Sequence, residues 1–362
     1  MPLPFTISNN LTRRMGRLIR CIAPVLIILG PVRSARAFTA ADADAIFEAH
    51  KAAFYQEENG RAWFKESTDG GKVSYWMRAE QMEMVLDAYQ RTRRPELLEM
   101  FKKLFRGFLA DHGRNWSHNE FNDDIMWMVI ASTRAYLNTK DREYLQVAKE
   151  NFDLCYARAI SPDLGGGLWW KTDNRSKNAC VNGPGAIAAF LLGRATNDTS
   201  YFTKSRGLFI WERDTLFDSN TGRVSDAINR DKHINRMALT YNQGTFVGAA
   251  NLLGYVKEAR LAAEFTKNHL CRDGLFPPSG EKDDGGGFNG IGARWIARFM
   301  KDRKEQAAFE PWLRKNADAA WQARRESDNL CWPKWPQPTP PGKRYSWGCS
   351  SAVVLLQVTD PL

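Results

Sequence analysis

Helical periodicity recurs along this chain in two alternating kinds, and that alternation is what most restricts its fold. Apolar residues return at helical spacing near 41–58, 76–92, 95–111, 121–138, 142–159 and 177–196. They do so again near 198–213, 237–254, 256–270, 288–303, 305–325 and 347–357, with Gly, Pro, Asn and Asp clusters between. The segments beginning near 41, 95, 142, 198, 256 and 305 are charged and amphipathic, as a helix with one wet face must be. Their successors are apolar or small nearly all round, as in Gly183–Phe190, Gly248–Gly254 and Trp347–Leu356. That is the composition of a buried helix. β-alternation is nearly absent. Twelve helices alternating outer and inner predict an all-α chain closed into six helical hairpins, an (α/α)6 barrel. An open α-solenoid would show a fixed-period repeat, and the sequence has none.

The first 37 residues stand apart. Arg13, Arg14, Arg17 and Arg20 precede a short apolar run, Cys21–Gly30, and Ala35-Arg36-Ala37 offers a small-x-small cleavage site before Phe38. This is the pattern of a secretory signal peptide, too short to span a bilayer. It predicts a mature chain of 38–362, extracellular or periplasmic. Six of the chain's 51 Lys and Arg lie in this segment and none of its 41 Asp and Glu, so the formal charge falls from +10 to +4. No long basic run remains to favour nucleic acid, and no later stretch is apolar enough for stable membrane insertion.

Five cysteines follow the leader: Cys155, Cys180, Cys271, Cys331 and Cys349. None forms a CxxC pair. An odd number cannot all pair internally, which leaves one or two disulfides or buried free thiols. His112 and His118 flank Trp116 without an acidic or thiol partner at ligand spacing, so the expectation is no metal and no cofactor.

The loops before the buried helices are chemically distinctive: Asp163–Lys171, Lys177–Gly183, Thr240–Gly244 and Asp283–Gly290. If the inner helices share one direction, these loops meet at one end of the barrel, together with Asn122-Asp123-Asp124. Such a rim of polar and aromatic groups suits a polar-ligand cleft. Taken alone, Asn122-Asp123-Asp124 reads first as a helix cap, because Asp and Asn accept N–H bonds there and oppose the dipole. Glycoside hydrolysis, however, also needs two carboxyl groups. Adjacent helical residues diverge by about 100°, so spacing permits the chemistry without demonstrating it.

Gly165-Gly166-Gly167 and Gly285-Gly286-Gly287 lack the setting of a phosphate loop and read instead as close backbone approach or positive φ. Glu281, Asp283 and Asp284 lack calcium-loop spacing and read as a solvated acidic turn. Most of the thirteen Trp should be packing residues. Trp169 and Trp170, in a Gly-rich loop, suit the flat face of a sugar ring. Tyr241, Asn242 and Gln243 suit either helix capping or hydroxyl recognition.

Taken in order, Asn122-Asp123-Asp124, GGGLWWK at 165–171, KNACVNG at 177–183, TYNQGTFVGAANLL at 240–253 and FNGIGARWIARF at 288–299 resemble glycoside hydrolase family 76. That family comprises the α-1,6-mannanases and related fungal cell-wall proteins. The resemblance runs from about Phe47 to about Leu356, more loosely in the N-terminal third. It lacks the hydrophobic tail of many lipid-anchored fungal relatives.

The resemblance implies a single (α/α)6 catalytic domain over 38–362 that cleaves α-1,6-mannosidic linkages in mannan, endo-acting and with retention. It makes Asp123 the nucleophile and Asp124 the general acid/base, with carboxyls about 5–5.5 Å apart and Asp124 carrying the proton. The implied substrate-binding residues are Asn122, Trp127, Trp169, Trp170, Asn182, Tyr241, Asn242 and Gln243. The alternatives are a mannan transglycosylase using the same pair, a non-catalytic glycan-binding barrel, and a different all-α barrel lyase or unsaturated-glycoside hydrolase.

Overall fold

The computed structural model describes residues 37–361, which lie within one compact unit. The expected leader therefore falls outside the described residues except for Ala37. Twelve α-helices follow: α1 (Ala40–Phe54), α2 (Tyr75–Thr92), α3 (Glu96–His112), α4 (Asn122–Thr139), α5 (Arg142–Ala159) and α6 (Ala179–Thr196). The second half adds α7 (Thr199–Thr215), α8 (Thr240–Leu253), α9 (Val256–Phe265), α10 (Phe288–Arg303), α11 (Gln306–Ala323) and α12 (Ser346–Val358).

The even-numbered helices close a ring, each packing on the next and α12 returning to α2, and the odd-numbered helices lie outside it. The expected (α/α)6 barrel is therefore present, with the expected helices inside. Inner helices are buried on every side, as in Ile125–Ala135 of α4. Outer α3 instead buries a stripe of Leu97, Met100, Phe101, Leu104, Phe105 and Phe108. Small residues let inner helices approach closely. A Cβ on Gly244 of α8 would lie 2.6 Å from Cα of Gly292 on α10.

The two ends of the barrel differ because the connections differ. Five inner helices finish on a left-handed residue, namely Arg93, Lys140, Asn197, Gly254 and Lys304, and turn into the next outer helix within a few residues. The return from outer to inner helix is longer, over residues 55–74, 113–121, 160–178, 216–239, 266–287 and 324–345. All six inner N-termini thus open among long loops.

Short strands occupy these loops, against the expectation of almost none. β1 (Tyr55–Glu58) pairs antiparallel with β2 (Arg61–Phe64), so the first helix stops at Phe54 rather than near 58. β3 (Ser176–Asn178), β4 (Ala227–Asn229) and β5 (Ile234–Asn235) form a second small sheet. The helix expected to 270 gives way at Thr266 to a wider π-helical turn.

Polar groups also fill part of the ring. Glu80, Glu83 and Asp87 of α2 meet Arg134 of α4 and Arg294 of α10, all five buried. Asp87 accepts from Arg134 Nη2 and from Arg294 Nε, both at 2.7 Å, while Arg134 also pairs with Glu83 and Arg294 with Glu80. Burial among neighbouring acids raises the Glu80 carboxyl to about 7. The cysteines are free thiols among the described residues, and all but Cys271 are buried.

Candidate active site

A cavity of about 560 Å³ opens where the inner N-termini meet the long loops. Asp123 and Asp124 both line it from the first turn of α4. The backbone N–H groups of Asp123 and Asp124 favour the charged form of the Asp123 carboxyl, so that acid faces the cavity from the helix mouth. Phe121 precedes the helix in extended backbone and makes no side-chain cap.

Asn122 holds this turn in place. It is buried, donates through its amide to Trp169 O at 2.8 Å and accepts from Arg158 Nε at 2.7 Å. Its backbone N–H donates to Trp170 O at 2.8 Å. Arg158 also donates to Ser117 O and Asn119 O, tying the preceding loop to α5.

The carboxyls differ in surroundings. Asn119 Nδ2 donates to Asp124 Oδ2 at 2.9 Å. Burial, followed by the charge of Asp123, nevertheless pushes Asp124 up to about 8. Burial also raises Asp123, to about 6, while the Cys180 thiol and the Trp170 indole favour its charged form. Of the two, Asp124 is the one that holds its proton near neutral pH.

Asp226 supplies a third carboxyl, raised by burial and held by Asn242 Nδ2 at 3.1 Å and Asn235 Nδ2 at 3.0 Å. A fourth, Asp284, accepts from Trp76 Nε1 at 3.3 Å. Aromatic rings from four inner helices form the remaining wall: Trp76 (α2), Trp127 (α4), Tyr241 (α8) and Phe288 (α10). Tyr241 and Phe288 stack with centroids 3.9 Å apart. Aromatic rings lining a cavity favour the C–H surfaces of a pyranose, and the carboxyls can engage its hydroxyls.

The expected residues divide into two groups. Trp127, Trp170 and Tyr241 line the cavity with the two aspartates. Asn122, Trp169, Asn182, Asn242 and Gln243 lie behind the wall. Asn182 exchanges hydrogen bonds with the backbone of Leu168, and Gln243 bonds Val224 N, Gly222 O and Ala262 O. Asn242 reaches the cavity only through Asp226. Trp169 is buried, with the Lys177 ammonium over its ring at 4.7 Å.

Lys177 explains the glycine-rich loop. Its buried ammonium donates to the carbonyls of Ser161, Asp163, Gly166 and Gly167. Carbonyls converge on it because Gly165, Gly166 and Gly167 all take positive φ. Gly167 also lies so close to Trp211 that a Cβ would stand 2.4 Å from the ring. The result fixes Trp170 beside Asp123. Burial lowers Lys177 to about 8.

Trp76, Phe288, Cys180, Asp226 and Asp284 were not anticipated as cleft residues. Trp76, Phe288 and Cys180 begin inner helices, so the convergence of inner N-termini was the available signal. The acidic turn is less solvated than expected, since Glu281 pairs with Arg344 at 3.1 Å and both are largely buried. Asp283 caps the turn through Gly285 N. Among the described residues no group of three or more His, Cys, Asp or Glu is placed to hold a metal ion, and no helix is long and apolar enough to cross a membrane.

With this geometry in view, the chain can be set beside known proteins. The sequence profile of glycosyl hydrolase family 76 matches residues 38–359. The mannan endo-1,6-α-mannosidase DFG5 of Saccharomyces cerevisiae is 27% identical over 213 residues. That stretch is 51% of this chain and 42% of the relative, less than half of the relative's length. The α-1,6-mannanase GH76A of Salegentibacter sp. HEL1_6 has a TM-score of 0.81 at 30% identity, covering 88% of this chain and 98% of that one. Its structure is of an inactive variant with two consecutive aspartates changed to asparagine, in complex with α-1,6-mannotriose. Dfg5 of Chaetomium thermophilum, in complex with glucosamine, shares the fold at TM-score 0.75 and 16% identity, covering 90% and 91% of the two chains. The family match spans nearly the whole described chain, and the protein belongs to glycosyl hydrolase family 76, as a glycoside hydrolase.

Proposed function

We propose that this protein is a secreted, retaining, endo-acting hydrolase of α-1,6-mannan, with Asp123 as nucleophile and Asp124 as general acid/base. The observation that carries the reading is the pair itself: two adjacent acids open into one aromatic cleft, and Asp124 is held the more protonated. In the first step the Asp124 carboxyl protonates the glycosidic oxygen while ionised Asp123 attacks C1, and the C1–O bond breaks. In the second, Asp124 takes a proton from water, which attacks C1 and releases Asp123. Trp170 and Cys180 support the charged Asp123 that attack requires. The bound α-1,6-mannotriose of the Salegentibacter enzyme supports the substrate class.

The test is hydrolysis of linear α-1,6-mannan by Asp123→Asn and Asp124→Asn variants. Each should lose about 10²-fold or more in kcat, the scale of an acid/base contribution. Unchanged activity in either variant would remove its assigned role. NMR of the first-formed anomer tests retention, and the size distribution of early products tests endo action. Mass spectrometry with an added acceptor glycan separates hydrolysis from transglycosylation. The secreted destination rests on the basic, apolar and Ala-x-Ala pattern of residues 1–37. N-terminal sequencing of exported protein should begin at Phe38.

A further inference from the structure

The barrel has a second axial mouth, and its chemistry is the opposite of the first. A cavity of about 620 Å³ lies at the C-terminal ends of the inner helices, and all six contribute to its lining. Eight lining side chains are Arg or Lys, and two are Asp. Five of the cations are matched: Arg134 and Arg294 by the acids of α2, Arg91 by Asp44, Arg298 by Asp302 and Lys301 by Asp360. Arg93, Lys140 and Arg194 are exposed, and among the described residues no carboxylate pairs with them.

Bases at helix C-termini are expected on one ground already, since each dipole end carries about half a negative charge. That accounts for Arg93, Lys140 and Arg194 singly. It does not account for their arrangement around a cavity whose lining includes Arg294, 5% exposed, with its Nη2 lacking a hydrogen-bond partner. Cations on a concave rim reinforce one another's field and raise the local concentration of anions. The volume lies in the range of small-molecule sites.

We propose that this second mouth binds a small oxyanion of the phosphate or sulfate class, free or carried on a sugar. Guanidinium groups match such tetrahedral anions in geometry as well as charge. The site lies at the far end of the inner helices from Asp123 and Asp124, so it is independent of the hydrolytic reading.

Isothermal titration of the purified protein with inorganic phosphate, and separately with a hexose 6-phosphate, tests this. The comparison is the triple variant Arg93→Ala/Lys140→Ala/Arg194→Ala, whose exposed positions leave the core intact. The expected result is saturable binding at one site, weakened about tenfold or more in the variant, with mannan hydrolysis unchanged. Tighter binding of the hexose phosphate assigns a sugar-borne group, and equal binding assigns the free ion. Absence of binding by both probes, or equal binding to the variant, overturns the proposal. Loss of hydrolysis in Asp124→Asn bears only on the other mouth.

Discussion

Asn119 Nδ2 donates to Asp124 Oδ2 at 2.9 Å from the loop that leads into α4. The same Asn119 is oriented by its own surroundings, accepting from Phe121 N through Oδ1 and from Arg158 Nη2 through its carbonyl. A donor held in this way favours the charged carboxylate and works against the burial that raises Asp124. The acid is therefore poised by two opposed effects, and burial is the larger.

That balance fixes a pH profile. The proposed mechanism requires Asp123 ionised and Asp124 protonated. The value of kcat/KM should fall below about 6 as Asp123 takes a proton and above about 8 as Asp124 loses one. Asn119→Ala removes a group that favours ionised Asp124, so the alkaline limb should move to higher pH. Initial rates on α-1,6-mannotetraose across this range read both limbs, and an alkaline limb moving downward would contradict the assignment.

The same shifts govern stability. Both carboxyls have folded values above the ordinary 3.8, so between that value and about 8 the unfolded chain has released protons that the native state retains. Native stability from these groups is full below about 4 and is lost as pH rises. Asp124→Asn should therefore raise the Tm at pH 8 and leave it nearly unchanged at pH 4. Thermal melts at the two pH values compare the variants directly.

The ion cluster inside the ring makes a different prediction. Arg294→Met leaves Glu80 without its guanidinium partner and Asp87 with only Arg134, in a buried site. Breaking such a network costs about 3–5 kcal/mol. Denaturant unfolding should show that loss, and adding Glu80→Gln should recover part of it by removing the stranded charge.

Lys177→Met should act on the cleft from behind. It deletes three charged N–H donors shared among four loop carbonyls, each donor worth about 1.5–3 kcal/mol, partly offset because the ammonium need no longer be buried. The expected outcome is faster amide exchange over residues 161–170 and a fall in kcat as Trp170 loses its support. Unchanged exchange would show that the loop holds itself.

Much of the architecture was legible in the sequence because burial leaves a compositional trace. Gly183–Phe190 carries no charge on any face, and a segment of that kind has only the barrel interior to occupy. Strand β1 was missed because Tyr55–Glu58 continues the charged pattern of α1, and only its pairing with Arg61–Phe64 makes it a strand. The roles of Asn182 and Gln243 were illegible for a related reason. A buried amide that bonds a loop carbonyl and one that faces a ligand need the same donors and acceptors, so composition cannot separate them.

The sequence by itself therefore determined the alternation of helices and the place of the acid pair at a helix mouth, while the convergence of the polar loops was conditional on the inner helices sharing one direction. The first two follow from local periodicity and capping chemistry, which each segment carries on its own. The tertiary structure alone decided which side chains share the cleft. Trp76, Asp226 and Phe288 come to Asp123 from distant parts of the chain only because the ring closes. It also decided that Asp124 keeps its proton longer than Asp123, because burial and the charge of a neighbour depend on everything packed around them.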